Sequence, residues 1–283
     1  MVAMIERLDD VADGYAVILS DVWGVIHNGV AAFAEASAAL ERAREAGKAV
    51  VLVTNSPRPG TDVEHQLDLL GVPRTAWDRL VSSGDVTRAL IAEGPRRIYH
   101  LGPDRDRGIY DGLDVETVED FEASAIVCTG LFDDDAEEPA DYADRLRAFR
   151  SRNLPMICAN PDIVVERGDR LIWCAGALAR DYALMGGRTL IAGKPHRPIY
   201  EAALKAAAEV LGRDVTRADA LAIGDGILTD VKGAVDHGVD LLFVTGGIHA
   251  REYGGHDGPD ASRLDEFLGQ HGYAPVAATT RLA

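Results

Sequence analysis

Cysteine is scarce in this chain of 283 residues: Cys128, Cys158 and Cys174 are all it has, and no two are spaced as C-x-x-C. That argues against a disulfide framework or a zinc site and fits buried structural thiols in a reducing compartment. Positive charge is also in short supply. Lys plus Arg number 29 against 46 Asp plus Glu, a formal charge of −17, whereas nucleic acid and anionic membrane both require a basic face. Neither is expected as a partner. A negatively charged substrate would have to be held by local positive features working against the overall field. Nowhere do about 18 apolar residues run together, so no transmembrane helix is predicted. Met1 to Asp10 have neither the basic start nor the apolar run of a secretory signal, and the expected location is cytoplasmic. No internal repeat or low-complexity tract is present. The acidic run Asp133 to Glu138 lacks EF-hand spacing and reads as a solvated loop.

What remains is the composition of an ordinary globular protein, 47% hydrophobic and 27% charged. The length allows one large domain or two smaller ones. Short β-branched runs alternate with helical stretches. Tyr15 to Ser20, Ala49 to Val53, Arg97 to Leu101, Ala125 to Thr129, Pro155 to Ala159, Thr189 to Ala192, Ala220 to Ile223 and Leu241 to Val244 read as strands. Ala31 to Lys48, stopped near Gly47, and Ile199 to Leu211, stopped at Gly212, read as helices. Continuous apolar strands separated by helices predict parallel sheets covered on both faces, an α/β fold. Pro57 to Gly60 and Gly186-Gly187 are breaks in the pattern.

In such a fold, ligands bind outside the carboxyl ends of the strands. The first strand ends at Asp21, in Asp21-Val22-Trp23-Gly24-Val25, and the second at Thr54-Asn55-Ser56. A later strand ends at Gly224-Asp225-Gly226, with Asp230 following, and Gly193-Lys194-Pro195 precedes a helix. Each piece alone is more simply a cap or a turn. Together, in order, each at a strand end or a helix start, they suit phosphoryl transfer. An aspartate can attack phosphorus and split one hydrolysis into two steps. Mg²⁺ wants oxygen ligands, and Asp21, Asp225 and Asp230 offer them. Lys194 and the Thr54 hydroxyl would absorb charge on the transferring oxygens, and Lys194 would keep the adjacent carboxylates ionised.

These four segments resemble the motifs of the haloacid dehalogenase (HAD) superfamily of aspartate-nucleophile phosphotransferases. The chain is most similar to subfamily IIA, which contains nucleotide, sugar-phosphate and 4-nitrophenyl phosphatases. The resemblance implies a Rossmann-like core over 1–82 and 183–283 with an α/β cap inserted at 83–182. It implies that Asp21 is nucleophile and Mg²⁺ ligand, with the Trp23 backbone carbonyl as a further ligand. Asp225 would ligate the metal and Asp230 would support its waters or Lys194. Thr54, Asn55, Ser56 and Lys194 would bind phosphate, and Arg58 belongs to the second motif. Asn160-Pro161-Asp162 and Gly176-Ala177-Leu178 are similar to cap segments, so Asn160, Asp162, Cys174, Gly176, Ala177 and Leu178 are expected near the substrate, or as hinge and packing residues. Subfamily members often pair through their caps, so a homodimer is an implied arrangement, and a small phosphorylated metabolite the implied substrate.

One position departs from the pattern. The family's phosphatases usually carry an aspartate two residues after the nucleophile, where it protonates the leaving group and then activates water. Here that residue is Trp23, whose indole N–H is not acidic at neutral pH. Loss of a general acid/base typically costs about 10²–10⁴ in rate. Three readings follow: a phosphatase with another proton path, for which His27 is the nearest titratable candidate; a dehalogenase, since haloacid dehalogenases carry a tyrosine there but use no metal; and a weakly catalytic protein that binds a phosphorylated ligand as a sensor. Retention of both Asp225 and Asp230 speaks against the second.

Overall fold

The computed structural model describes residues 2–168, 170–255 and 257–283. They form two compact units, one from Met1–Thr54, Glu64–Val81 and Tyr200–Ala283, the other from Asn55–Val63 and Ser82–Ile199.

The first unit is built on six strands, side by side in the order Ala277–Thr279, Asp240–Val244, Ala220–Gly224, Val17–Ser20, Ala49–Thr54 and Arg79–Ser82. The pairings from the first of these to the fifth are parallel. Val17–Ser20, Ala49–Thr54 and Ala220–Gly224 are buried along their whole length. That is why their sequences are continuous apolar runs and show no alternation. From Val17–Ser20 the chain adds strands outward on one side, then returns to start the other side at Ala220–Gly224. The order therefore reverses between those two strands, and a crevice opens beyond their carboxyl ends at such a reversal.

The helix Ala34–Glu45 lies inside its predicted span and buries Ala36, Ala39, Leu40 and Ala43, the spacing of one helical face. It ends where Gly47 takes a positive φ of 84° and donates its N–H to the Arg44 carbonyl at 2.8 Å. Leu8, Ile18, Ile26, Leu40, Leu52, Leu67 and Trp77 form the fully buried centre of this unit. Each such large side chain contributes about 1.5–3 kcal/mol by leaving water.

The second unit carries five parallel strands, in the order Thr189–Ile191, Met156–Cys158, Ala125–Cys128, Arg97–Leu101 and Glu116–Thr117. An antiparallel hairpin joins Val164–Arg167 to Arg170–Trp173. Residues 83–182 all lie in this unit, which also takes in 55–63 and continues to Ile199, because Thr189–Ile191 pairs with Met156–Cys158. The helix predicted from Ile199 starts at Arg197 and runs to Leu211. The acidic run at 133–138 is anchored rather than merely solvated. Asp134 pairs with Arg105 and with Arg167, the latter at 2.9 Å, and Asp135 meets Arg170 at 3.1 Å. No described helix is long and apolar enough to cross a membrane.

All three thiols are buried in this unit. Burial pushes Cys158 up to about 12 and raises Cys128 and Cys174 well above the ordinary thiol range. The thiolate is the reactive form. A disulfide-exchange reagent at pH 8 should therefore modify no cysteine in the folded protein and 3 per chain after denaturation. Modification of one thiol at native pH without unfolding would contradict the packing described.

Candidate functional site

Asp21 and Asp225 follow the two strands that flank the sheet's reversal, Val17–Ser20 and Ala220–Gly224. The parallel register pairs Ser20 with Ile223, and the Asp21 N–H donates to the Ile223 carbonyl at 2.8 Å. The two carboxylates are thereby delivered to the same edge. Asp230 joins them through a wide turn over Ile227–Val231, in which the Val231 N–H reaches back five residues to the Gly226 carbonyl at 3.0 Å. Turns of this width are rare and recur at functional sites. Here the turn brings Asp230 back over Gly224, where a Cβ would fall 2.2 Å from its Cγ. Its Oδ2 accepts the Gly226 N–H at 3.0 Å.

Each of Asp21, Asp225 and Asp230 offers one oxygen, the three lying within 4.8 Å of one another. Their exposures are 8%, 6% and 5%. Three like charges so close and so dry repel strongly, and a hard divalent cation with oxygen ligands removes the conflict. The donor set therefore fits Mg²⁺. The backbone is shaped for it as well. A Cβ at Gly24, whose φ is +82°, would fall 2.2 Å from Asp225 Oδ2, and one at Gly247 would fall 1.9 Å from the same atom. That oxygen also accepts the Ile248 N–H at 2.8 Å. Gly247 and Ile248 escaped the sequence reading, although the Gly246-Gly247 pair directly after a strand end was the available signal.

Trp23 is half-buried beside Asp21 in the chain, with its indole held on two sides. The His27 ring meets it edge-on, with centroids 4.9 Å apart at 72°, and a Cβ at Gly29 would strike the indole at 2.4 Å. His27 is 1% exposed, and its Nδ1 accepts the Gly29 N–H at 2.9 Å. The ring is thereby tied to the loop that carries Trp23.

In the second unit, Asn55, the residue after Thr54, organises the segment around Lys194. Its Oδ1 accepts the Lys194 N–H at 2.8 Å, and its amide donates to the Lys194 carbonyl at 3.2 Å and to Asp162 Oδ1 at 2.9 Å. Lys194 is 3% exposed and Thr54, in the first unit, 5%. Ser56 lends its carbonyl to the Gly84 N–H at 2.9 Å, which seats the helix Ser83–Ala92 against this loop.

The expected substrate residues divide. Asn160 Oδ1 accepts the Asp162 N–H at 3.1 Å, and Asp162 holds Asn55. Both serve the architecture of the loop. Gly176 packs so tightly that a Cβ would lie 2.1 Å from the Pro161 carbonyl. Cys174, Ala177 and Leu178 are 6%, 0% and 0% exposed, with Leu178 in the apolar core of that unit. Of the two roles expected for this stretch, packing is the one it performs in this conformation.

A further titratable group lies on the loop after Asp240–Val244. Burial pulls His249 down to about 4; Glu252 and Asp230 oppose that shift and His271 adds to it. Phe267 covers the ring at 5.4 Å. The unfolded chain binds this proton near pH 6.5 and the folded chain does not, so the native state loses stability as pH falls from about 6.5 to about 4. The loss at pH 5 should be about 2 kcal/mol. His249→Asn should remove that part of the acid sensitivity, read from urea midpoints at pH 7 and pH 5; equal losses in both proteins would contradict it.

Comparison with known proteins agrees with this geometry. A family model of haloacid dehalogenase-like hydrolases matches residues 18–116, and a second, HAD-hydrolase-like, matches residues 191–266. The chain is 58% identical to a solved hydrolase of the haloacid dehalogenase-like family from Brucella suis 1330, covering 99% of this chain and 100% of that one, with a TM-score of 0.90. It is 26% identical to the 5'-nucleotidase YutF of Bacillus subtilis (strain 168), over 84% of this chain and 90% of that protein. The p-nitrophenyl phosphatase from Archaeoglobus fulgidus shares the fold, with a TM-score of 0.68 at 23% identity over 93% of this chain and 95% of that one.

Proposed function

The chain belongs to the haloacid dehalogenase-like hydrolase family, and we propose that it is a Mg²⁺-dependent phosphomonoesterase working through an aspartyl phosphate on a small phosphorylated metabolite. The observation that carries this is the convergence of three buried carboxylates at the point where the strand order reverses. One oxygen of Asp21 attacks phosphorus, and the acyl phosphate so formed is later hydrolysed. Asp21, Asp225 and the Trp23 carbonyl would hold the metal, with Asp230 in support. When bound, the cation would neutralise charge on the transferring phosphoryl oxygens. Thr54 and Ser56 bind the phosphate by their hydroxyls and Asn55 by its backbone N–H, its side-chain amide being engaged by Lys194 and Asp162. Lys194 supplies a positive charge for the phosphate. His27 braces the Trp23 indole, its ring edge-on to it and its Nδ1 accepting the Gly29 N–H.

The test is phosphate release from a panel of phosphomonoesters, nucleoside monophosphates included, with and without Mg²⁺. Metal-dependent turnover supports the proposal. The fixed indole beside the nucleophile favours one competing reading, a protein that binds a phosphorylated ligand without turning it over. Ligand-induced stabilisation with no phosphate released from any ester would support that reading and overturn ours.

A further inference from the structure

Around the carboxylate cluster, several polar side chains of the first unit are tied to its own backbone. His27 Nδ1 takes the Gly29 N–H. The Tyr253 hydroxyl donates to the Thr245 carbonyl at 3.1 Å, and the Tyr200 hydroxyl to the Asp230 carbonyl at 3.4 Å. Two residues beyond Asp21 stands an indole that cannot exchange a proton usefully, and it is fixed by His27 and Gly29 so that it does not swing aside for another group. The nucleophile and the cation cluster are thus present, while the position two residues after the nucleophile holds no acid.

We propose that the substrates of this site are phosphate compounds whose leaving oxygen departs without a proton, namely aryl, enol and acyl phosphates, in preference to alkyl esters such as sugar or glycerol phosphates. This rests on the phosphatase reading above. In the first step an Asp21 oxygen forms a bond to phosphorus and the bond from phosphorus to the leaving oxygen breaks. That oxygen keeps the electron pair and leaves as phenolate, enolate or carboxylate. In the second step water attacks phosphorus, and the bond to Asp21 breaks with its electron pair returning to the carboxylate. Both protons of the water end on the oxygens of the released phosphate. Neither step draws on an acid from this unit. An alkoxide leaving group is a far stronger base and forgoes the roughly 10²–10⁴-fold assistance that a general acid supplies.

The experiment compares kcat/KM across acetyl phosphate, 4-nitrophenyl phosphate, phenyl phosphate and glycerol phosphate for the wild type and Trp23→Asp, with Mg²⁺ present. For the wild type, the rate should fall steeply as the leaving group becomes more basic, and glycerol phosphate should lie at least about 10²-fold below 4-nitrophenyl phosphate. Trp23→Asp restores an acid at that position and should narrow the gap by raising glycerol phosphate hydrolysis about 10²-fold or more. The wild-type profile decides the matter even if the variant fails to fold. Alkyl and aryl esters hydrolysed at similar rates by the wild type would overturn the substrate class and leave the phosphatase reading standing. No release from any compound, acetyl phosphate included, would overturn both.

Discussion

Replacing Asp21 by asparagine is expected to lower phosphate release by about 10⁴-fold or more, because the proposed nucleophile is lost outright while the rest of the proposed site remains. The amide has nearly the shape of the carboxylate, and the backbone N–H bond to the Ile223 carbonyl is one the substitution does not touch. The variant should therefore fold. In metal-free buffer it should be no less stable than the wild type, since one of three adjacent buried charges has been removed. The measurement is kcat/KM on the best substrate alongside a thermal melt. Activity within tenfold of wild type would show that Asp21 is not the nucleophile, and a lowered melting temperature without metal would show that its charge is compensated in some other way.

Adding Mg²⁺ to the wild type should raise its stability by about 2.7 kcal/mol at a hundred times the dissociation constant, the free energy that binding to the native state alone supplies. Two substitutions should reduce the gain for different reasons. Asp230→Asn removes a charge from the cluster, so the metal-free protein gains stability while the response to the ion shrinks. Gly247→Ala keeps every carboxylate but places a Cβ 1.9 Å from Asp225 Oδ2, which forces that side chain out of position. Melts with increasing Mg²⁺ and calorimetric titration distinguish the cases. A full Mg²⁺ shift in Gly247→Ala would mean that Asp225 is not held where the close approach of Gly24 and Gly247 implies. A shift of equal size in Asp230→Asn would remove Asp230 from any role with the ion.

These expectations draw on two sources. The α/β class, the buried parallel strands and the family were all legible in the sequence, since a strand buried on both faces must be apolar throughout and a strand end must hand over to a turn. Val17–Ser20 followed by Asp21, and Ala220–Gly224 followed by Asp225, announce themselves in that way. Trp23 was legible too, as a residue out of pattern. The exact ends of helices were not, because caps depend on local bonds: Ala34–Glu45 and Arg197–Leu211 both differ at a boundary from their sequence spans.

By itself the sequence determined which side chains arrive at strand ends and what chemistry they carry, because periodicity and chain order are local properties. Only the tertiary structure decided what those side chains do once there. That Asp230 folds back over Gly224 through a wide turn, that Gly247 and Ile248 crowd and hold Asp225, and that His27 meets the Trp23 indole edge-on are contacts between residues whose spacing in sequence carries no signal. The same holds for Leu178 and Ala177, whose apolar character suits a binding wall or a core equally well in sequence; both are buried, Leu178 in the apolar core of its unit. Packing is a collective, long-range outcome, and it assigns to each side chain the one partner that sequence pattern leaves open.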